Sequence, residues 1–138
     1  MKSMIVNLAV KDIVSTVKYY QENFDFELQM LVDESKTNFD TKIKKELNYI
    51  WAMIHKDNVS IMLQNTESLK EDVGVFFENI GASLTLYIDV ENVDDLYVKI
   101  KDKVIIYKEL NTTWYGQREF YIKDINGYIL GFASKICG

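Results

Sequence analysis

The stretch Trp114-Tyr115-Gly116-Gln117-Arg118-Glu119-Phe120-Tyr121-Ile122-Lys123-Asp124-Ile125-Asn126-Gly127-Tyr128-Ile129-Leu130-Gly131-Phe132 decides the fold. Its middle, Asp124-Ile125-Asn126-Gly127, carries turn chemistry, because Asn and Gly accept the left-handed backbone that a tight reversal needs. The flanking residues predict strands at 118–123 and 127–134, a closing hairpin. Upstream lie a turn-rich loop at 109–116 and a strand at 103–108. Before these, Asn92 caps a helix carrying Val93, Leu96, Tyr97 and Ile100 at helical spacing, and residues 83–90 read as a strand. The unit is β-α-β-β-β.

The same order occupies the first half of the chain. Residues 5–10 alternate as a half-buried strand, and Asp12 caps a helix with Ile13, Val17, Tyr20 and Phe24 on one face. Strands follow at 26–32, 48–55 and 59–64, the last two joined by Lys56-Asp57-Asn58. The polar, Lys-rich segment 34–47 reads as a loop with a turn or two of helix. Ser68 and Glu71 form a capping-box pattern, so a short connecting helix is expected over 68–79, ended by Gly81. Val10-Lys11-Asp12-Ile13 aligns with Val90-Glu91-Asn92-Val93, a repeat of pattern rather than of residues. The expected class is α+β in one domain of 138 residues: module one over 1–65, the connector over 66–81, module two over 82–138.

Composition narrows the function. The chain is 48% hydrophobic, 27% charged and 13% aromatic, which suits one globular core. A formal charge of -5 argues against a nucleic-acid partner, which requires a basic footprint. No apolar run nears the ~20 residues of a membrane span, so no membrane partner is expected. Met1-Lys2-Ser3-Met4 runs into a strand without a signal-peptide pattern, and the single cysteine, Cys137, forms no disulfide framework. A cytoplasmic location is therefore expected. With His55 alone, any site that needs two histidines is excluded.

Leu8-Ala9-Val10-Lys11-Asp12-Ile13 followed by Tyr19-Tyr20, together with the closing hairpin, resembles the vicinal oxygen chelate superfamily. This group includes glyoxalase I, fosfomycin-resistance enzymes, extradiol dioxygenases and bleomycin-resistance proteins. The hairpin is similar to the W-G-x-R-E-F and D-P-D-G-x-L-L-x-F elements of the bleomycin-resistance-like branch. Tyr115 is inserted between Trp and Gly, and Ile125 replaces the proline. The resemblance implies two tandem βαβββ modules forming a U-shaped mixed sheet around a cleft, with helices outside. The strands themselves support a two-faced sheet. Val6, Leu8, Val10, Ile61, Leu63, Leu84, Leu86, Ile88, Leu130 and Phe132 form the expected core parity, while the opposite parity is mixed.

The superfamily's chemistry implies a divalent ion held by His and Glu on four equivalent strands. Carried over by register, those positions are Ile5, Met62, Thr85 and Gly131, none of which offers an imidazole or carboxylate. Neither a metal nor any other cofactor is therefore expected, and His55 is placed at the surface turn. Binding then falls to the mixed face: Trp51, Met53, Met62, Gln64, Thr85, Tyr87, Trp114, Glu119 and Tyr121. Aromatic walls stack planar or cationic groups, methionines adapt to apolar shapes, and a carboxylate attracts a cation. Arg118, the sole arginine, invites a carboxylate partner, either across the sheet or on a second subunit. The expected function is metal-free binding of a small molecule, cationic in part, by a homodimer resembling drug- or metabolite-sequestering proteins. The alternative is a metal-independent enzyme using Glu119 and Tyr121 for acid–base work. A ligand-sensing or purely interacting protein is the third reading.

Overall fold

The computed structural model describes residues 1–74, 77–81 and 83–136. Cys137 and part of the helix expected over 68–79 lie outside the described residues. The elements run β1 (Val6–Val10), α1 (Ile13–Phe24), β2 (Glu27–Asp33), β3 (Phe39–Asp40), β4 (Tyr49–Lys56), β5 (Val59–Asn65), α2 (Thr66–Val73), β6 (Thr85–Asp89), α3 (Val93–Ile100), β7 (Ile105–Thr112), β8 (Gln117–Lys123) and β9 (Ile129–Lys135). They fall into two compact units, Met1–Glu78 and Asn79–Gly138. The class is mixed α+β, with one five-stranded and one four-stranded sheet.

In the first unit the strand order is β1-β5-β4-β2-β3. β1 runs parallel to β5, Leu8 opposite Leu63, while β4 and β5 form an antiparallel hairpin whose turn places Asp57 at φ 51°. Asp12 starts α1 by accepting a 2.8 Å hydrogen bond from the Ser15 N–H, and Asp25 ends it in the left-handed conformation. That helix turns Ile13, Val17, Tyr20 and Phe24 onto Leu31, Ala52, Ile54, Ile61 and Leu63, all buried. The apolar parity of this sheet is therefore core, as alternation predicts.

The second unit repeats the plan with the order β6-β9-β8-β7, β6 parallel to β9 and Leu86 opposite Leu130. Asn92 caps α3 through the Asp95 N–H. The β8–β9 turn is tied by Asp124, whose Oδ1 accepts from the N–H groups of Asn126 and Tyr128 while Gly127 takes φ 91°.

The structure corrects four details. First, α2 begins at Asn65, whose side chain accepts from Glu67 and Ser68, so Ser68 lies inside the helix instead of capping it. It ends at Gly74 (φ 74°) rather than Gly81, and it packs on β5 and β1 within the first unit. Second, the 34–47 segment contains the short strand β3. Its return is clamped by Tyr49, whose hydroxyl donates to Asp40 and accepts from the Lys44 N–H. Third, β7 continues to Thr112, through two register shifts, where a loop from 109 was expected. Fourth, Leu84 is 38% exposed, and Leu86 and Ile88 are only half-buried. β6 is an edge strand and α3 covers β8 and β9 instead, so the core here is Val93, Ile100, Phe120, Ile122, Leu130 and Phe132.

Candidate functional site

The face of the second sheet opposite α3 is organised around a gap. Gly131 on β9 lies between Tyr87 on β6 and Tyr121 on β8 in register. A Cβ at residue 131 would sit 2.6 Å from the Tyr121 ring, so only glycine lets that ring lie across the strand. The Tyr87 and Tyr121 rings then meet, centroids 6.3 Å apart. Glu119, two residues before Tyr121 on the same face, is 1% exposed.

Two phenols hold this carboxylate. Tyr87 donates to Glu119 Oε1 at 2.8 Å, and Tyr115 donates to the same oxygen at 2.7 Å. Tyr115 reaches it from the loop at 113–116, where Gly116 turns the chain at φ 81°. Oε2 is buried without any hydrogen-bond partner. Burial raises the Tyr87 phenol well above its ordinary value, with the Glu119 bond and charge adding to the shift. In Tyr115 the phenol is also raised, chiefly by its bond to Glu119. Tyr121 is raised by burial first, then by the charge of the nearby Glu119 carboxylate and last by a weak side-chain hydrogen-bond contribution from it. All three phenols therefore stay protonated as donors. Chemically this is a carboxylate in a poorly solvated place, with one oxygen saturated and the other buried and unpaired.

The first sheet's corresponding face is built differently. Met30, Met53 and Met62 form a cross-strand row, and Trp51 lies opposite Gln64. Gln64 is bonded through its oxygen and its nitrogen: it accepts from Asn7 Nδ2 at 2.9 Å and donates to Ser68 Oγ at 3.0 Å and Asp72 Oδ2 at 2.8 Å. This amide anchors α2 to the sheet.

Of the residues expected in the site, Tyr87, Glu119 and Tyr121 are brought together in the second unit. Thr85 shares β6 with Tyr87 and stands exposed. Trp114 is 94% exposed and touches Tyr115 edge-on, centroids 5.1 Å apart. Trp51, Met53, Met62 and Gln64 share one face of the first unit. Sequence reasoning missed the direct bond from Tyr115 to Glu119, for which the only signal was a four-residue separation across a glycine turn. It missed Asn7, Ser68 and Asp72 as well, because polar partners between elements leave no periodic trace. Arg118 donates to Asp94 Oδ1 at 3.0 Å and to Thr112 Oγ1 at 3.2 Å, so its carboxylate partner lies in the first turn of α3. His55 lies within β4, one residue before its end at Lys56, instead of in the turn, and its Nε2 lies 3.5 Å from Glu27.

Comparison with known proteins supplies the family. The profile of the Glyoxalase/Bleomycin resistance protein/Dioxygenase superfamily matches residues 4–132. The chain belongs to this superfamily. Solved structures similar to it include a protein of unknown function from Agrobacterium tumefaciens (TM-score 0.73, 16% identity, covering 99% of this chain and 95% of that one). A glyoxalase/bleomycin resistance protein/dioxygenase family enzyme from Burkholderia phytofirmans gives a TM-score of 0.71 at 22% identity, covering 96% and 97%. TioX from Micromonospora gives 0.68 at 16%, covering 99% and 100%. These identities speak for the fold alone. No curated protein matches the sequence.

The superfamily's divalent ion does not fit this member. Register pairs Asn7 with Met62 and Tyr87 with Gly131, so even the strand neighbours of the expected positions lack carboxylate or imidazole. The space over Gly131 is taken by the Tyr121 ring. Among the described residues, no three His, Cys, Asp or Glu side chains gather where an ion could be held. No described helix is long and apolar enough to cross a membrane.

Proposed function

We propose that this superfamily member is a metal-free small-molecule-binding protein of the bleomycin-resistance-like branch, holding a drug or metabolite rather than transforming it. The observation that carries the reading is Glu119: buried, with Oε2 open and with phenols at its rim that are half exposed. A carboxylate left half-satisfied costs folding free energy, and a bound donor would recover it. The chemistry of the rim favours an organic ligand that is cationic in part, stacked on the tyrosine faces. A homodimer belongs to this reading, since Trp114 and Tyr107 stand in water and would be sheltered by a second copy.

The test is a thermal-shift screen of organic cations and neutral aromatics, with hits repeated on Glu119→Gln. Saturable stabilisation that Glu119→Gln abolishes supports the reading. Stabilisation indifferent to that change moves the site elsewhere. Turnover of a hit compound, lost in Glu119→Gln while binding persists, converts the protein to an acid–base enzyme using Glu119 beside Tyr121. Sedimentation as a 16.2 kDa species at tens of micromolar would remove the dimer.

A further inference from the structure

The two oxygens of Glu119 are not equivalent, and the difference selects among cations. Oε1 already accepts from Tyr87 and Tyr115, which uses both of its lone-pair directions. Oε2 accepts nothing and has no contact with water. A guanidinium binds a carboxylate most strongly as a fork, one N–H to each oxygen, and that mode needs both oxygens free. A quaternary ammonium brings charge without an N–H and would leave Oε2 unpaired in a dry site. A primary or secondary ammonium needs a single oxygen and can present its apolar remainder to the tyrosine rings.

We propose that the ligand of this site is a primary or secondary alkyl- or arylalkyl-ammonium ion, donating one N–H to Glu119 Oε2 while Tyr87 and Tyr115 remain on Oε1. This rests on the functional reading above and names its ligand class. Tyr115 is the side chain that opens the way. It is 49% exposed and sits on a short loop, whereas Tyr87 and Tyr121 are fixed on strands. Gly131 matters here too, because it keeps the Tyr121 ring flat over β9 as the floor of the site.

The experiment compares 2-phenylethylamine with 2-phenylethylguanidine, trimethyl(2-phenylethyl)ammonium and 2-phenylethanol, dissociation constants being read by ligand-observed NMR on the full chain. The amine should bind at least about tenfold more tightly than each of the other three. That preference should vanish in Glu119→Gln. In Tyr115→Phe, which frees one direction on Oε1 and keeps the charge, the guanidine should recover most of its deficit. Equal binding of the amine and its trimethyl counterpart, or tighter binding of the guanidine, overturns the inference and leaves small-molecule binding at Glu119 standing. Failure of all four probes to bind at millimolar concentration also overturns it, and the thermal-shift screen then judges the broader reading separately. An unfolded Glu119→Gln would not stall the test, because Tyr115→Phe reads the same asymmetry.

Discussion

The two units use one backbone plan and bury different polar groups: a neutral amide bonded through both its oxygen and its nitrogen in the first, a carboxylate bonded through one oxygen in the second. In the first, Gln64 accepts from Asn7 and gives its N–H groups to Ser68 and Asp72, while the neutral Oδ1 of Asn7 is buried without a partner. The buried Asp33 likewise accepts from Ser35 and from both the backbone and the side chain of Asn38. In the second, Glu119 is more deeply buried than either and has one oxygen unmet. An unmet buried oxygen costs more on a charged carboxylate than on a neutral amide, so Glu119 is the group that most needs a partner from outside. The difference teaches where to look for function: repetition of the fold does not repeat the site.

The largest expected effect breaks the second unit at its floor. Gly131→Val forces the new side chain against the Tyr121 ring, and overpacking of this kind costs about 1–3 kcal/mol. Chemical denaturation should show that loss, and Tyr121→Ala in the same chain should return part of it. A Gly131→Val protein as stable as the parent would mean that the ring moves freely and that the gap organises nothing.

Next comes the Gln64 network of the first unit. Gln64→Leu strips partners from Asn7, Ser68 and Asp72 at once and should cost about 1–2 kcal/mol, with α2 loosening first. Hydrogen exchange along residues 66–73 is the direct measurement. Glu119→Gln should behave oppositely. Removing a buried charge with an unmet oxygen should leave stability unchanged or raise it by up to about 1 kcal/mol, while ligand binding is lost. Were Glu119→Gln to destabilise like Gln64→Leu, the two faces would be alike and Glu119 would be structural.

What the sequence makes legible follows the range of the forces involved. Asp12 and Asn92 as helix caps, and Asp124 with Asn126-Gly127 as a turn, are local chemistry, and each appears where the residues place it. Alternation assigns Leu8, Ile61 and Leu63 to the core correctly, but it misplaces Leu84, which precedes β6 and lies away from β8 and β9, the strands that α3 covers. A similar competition moves the start of α2. Asn65 and Ser68 are both good caps, and Asn65 wins because β5 delivers the chain there. At the candidate site, parity puts Glu119, Tyr121 and Gly131 on one face. Which hydroxyl reaches which oxygen is a matter of tertiary distance, and no spacing encodes it.

Asp33 offers a titration contrast with these neutral-pH tests. The Asn38 side-chain amide lowers its carboxyl most; partial desolvation works the other way, and Ser35 adds to the lowering, leaving it at about 2 against an ordinary 3.8. A carboxyl with a depressed folded value stabilises the fold above its unfolded value and loses that contribution as pH falls toward the folded one. The melting temperature should therefore drop between pH 3.8 and about 2 more steeply in the parent than in Asp33→Asn. Parallel acid curves would show that the turn at 33–38 draws nothing from the charge.

The smallest effect belongs to Arg118, although it is the chain's only arginine and lies beside Glu119 in sequence. Strand alternation sends it to the opposite face, where its Nε meets Asp94 at 3.0 Å with both side chains substantially exposed. Exposed pairs contribute about 0–1 kcal/mol because solvent screens the charges and ordering two long side chains costs entropy. Asp94 also sits in the first turn of α3, where a carboxylate is already favoured by the helix's own dipole and does not depend on the arginine. Arg118→Ala should thus shift stability by less than about 1 kcal/mol, and that shift should shrink further in high salt. It should leave amine binding untouched, because the guanidinium and the Glu119 carboxylate serve different faces of β8. A loss of ligand affinity in Arg118→Ala that matches Glu119→Gln would break this separation of faces and with it the placement of the site.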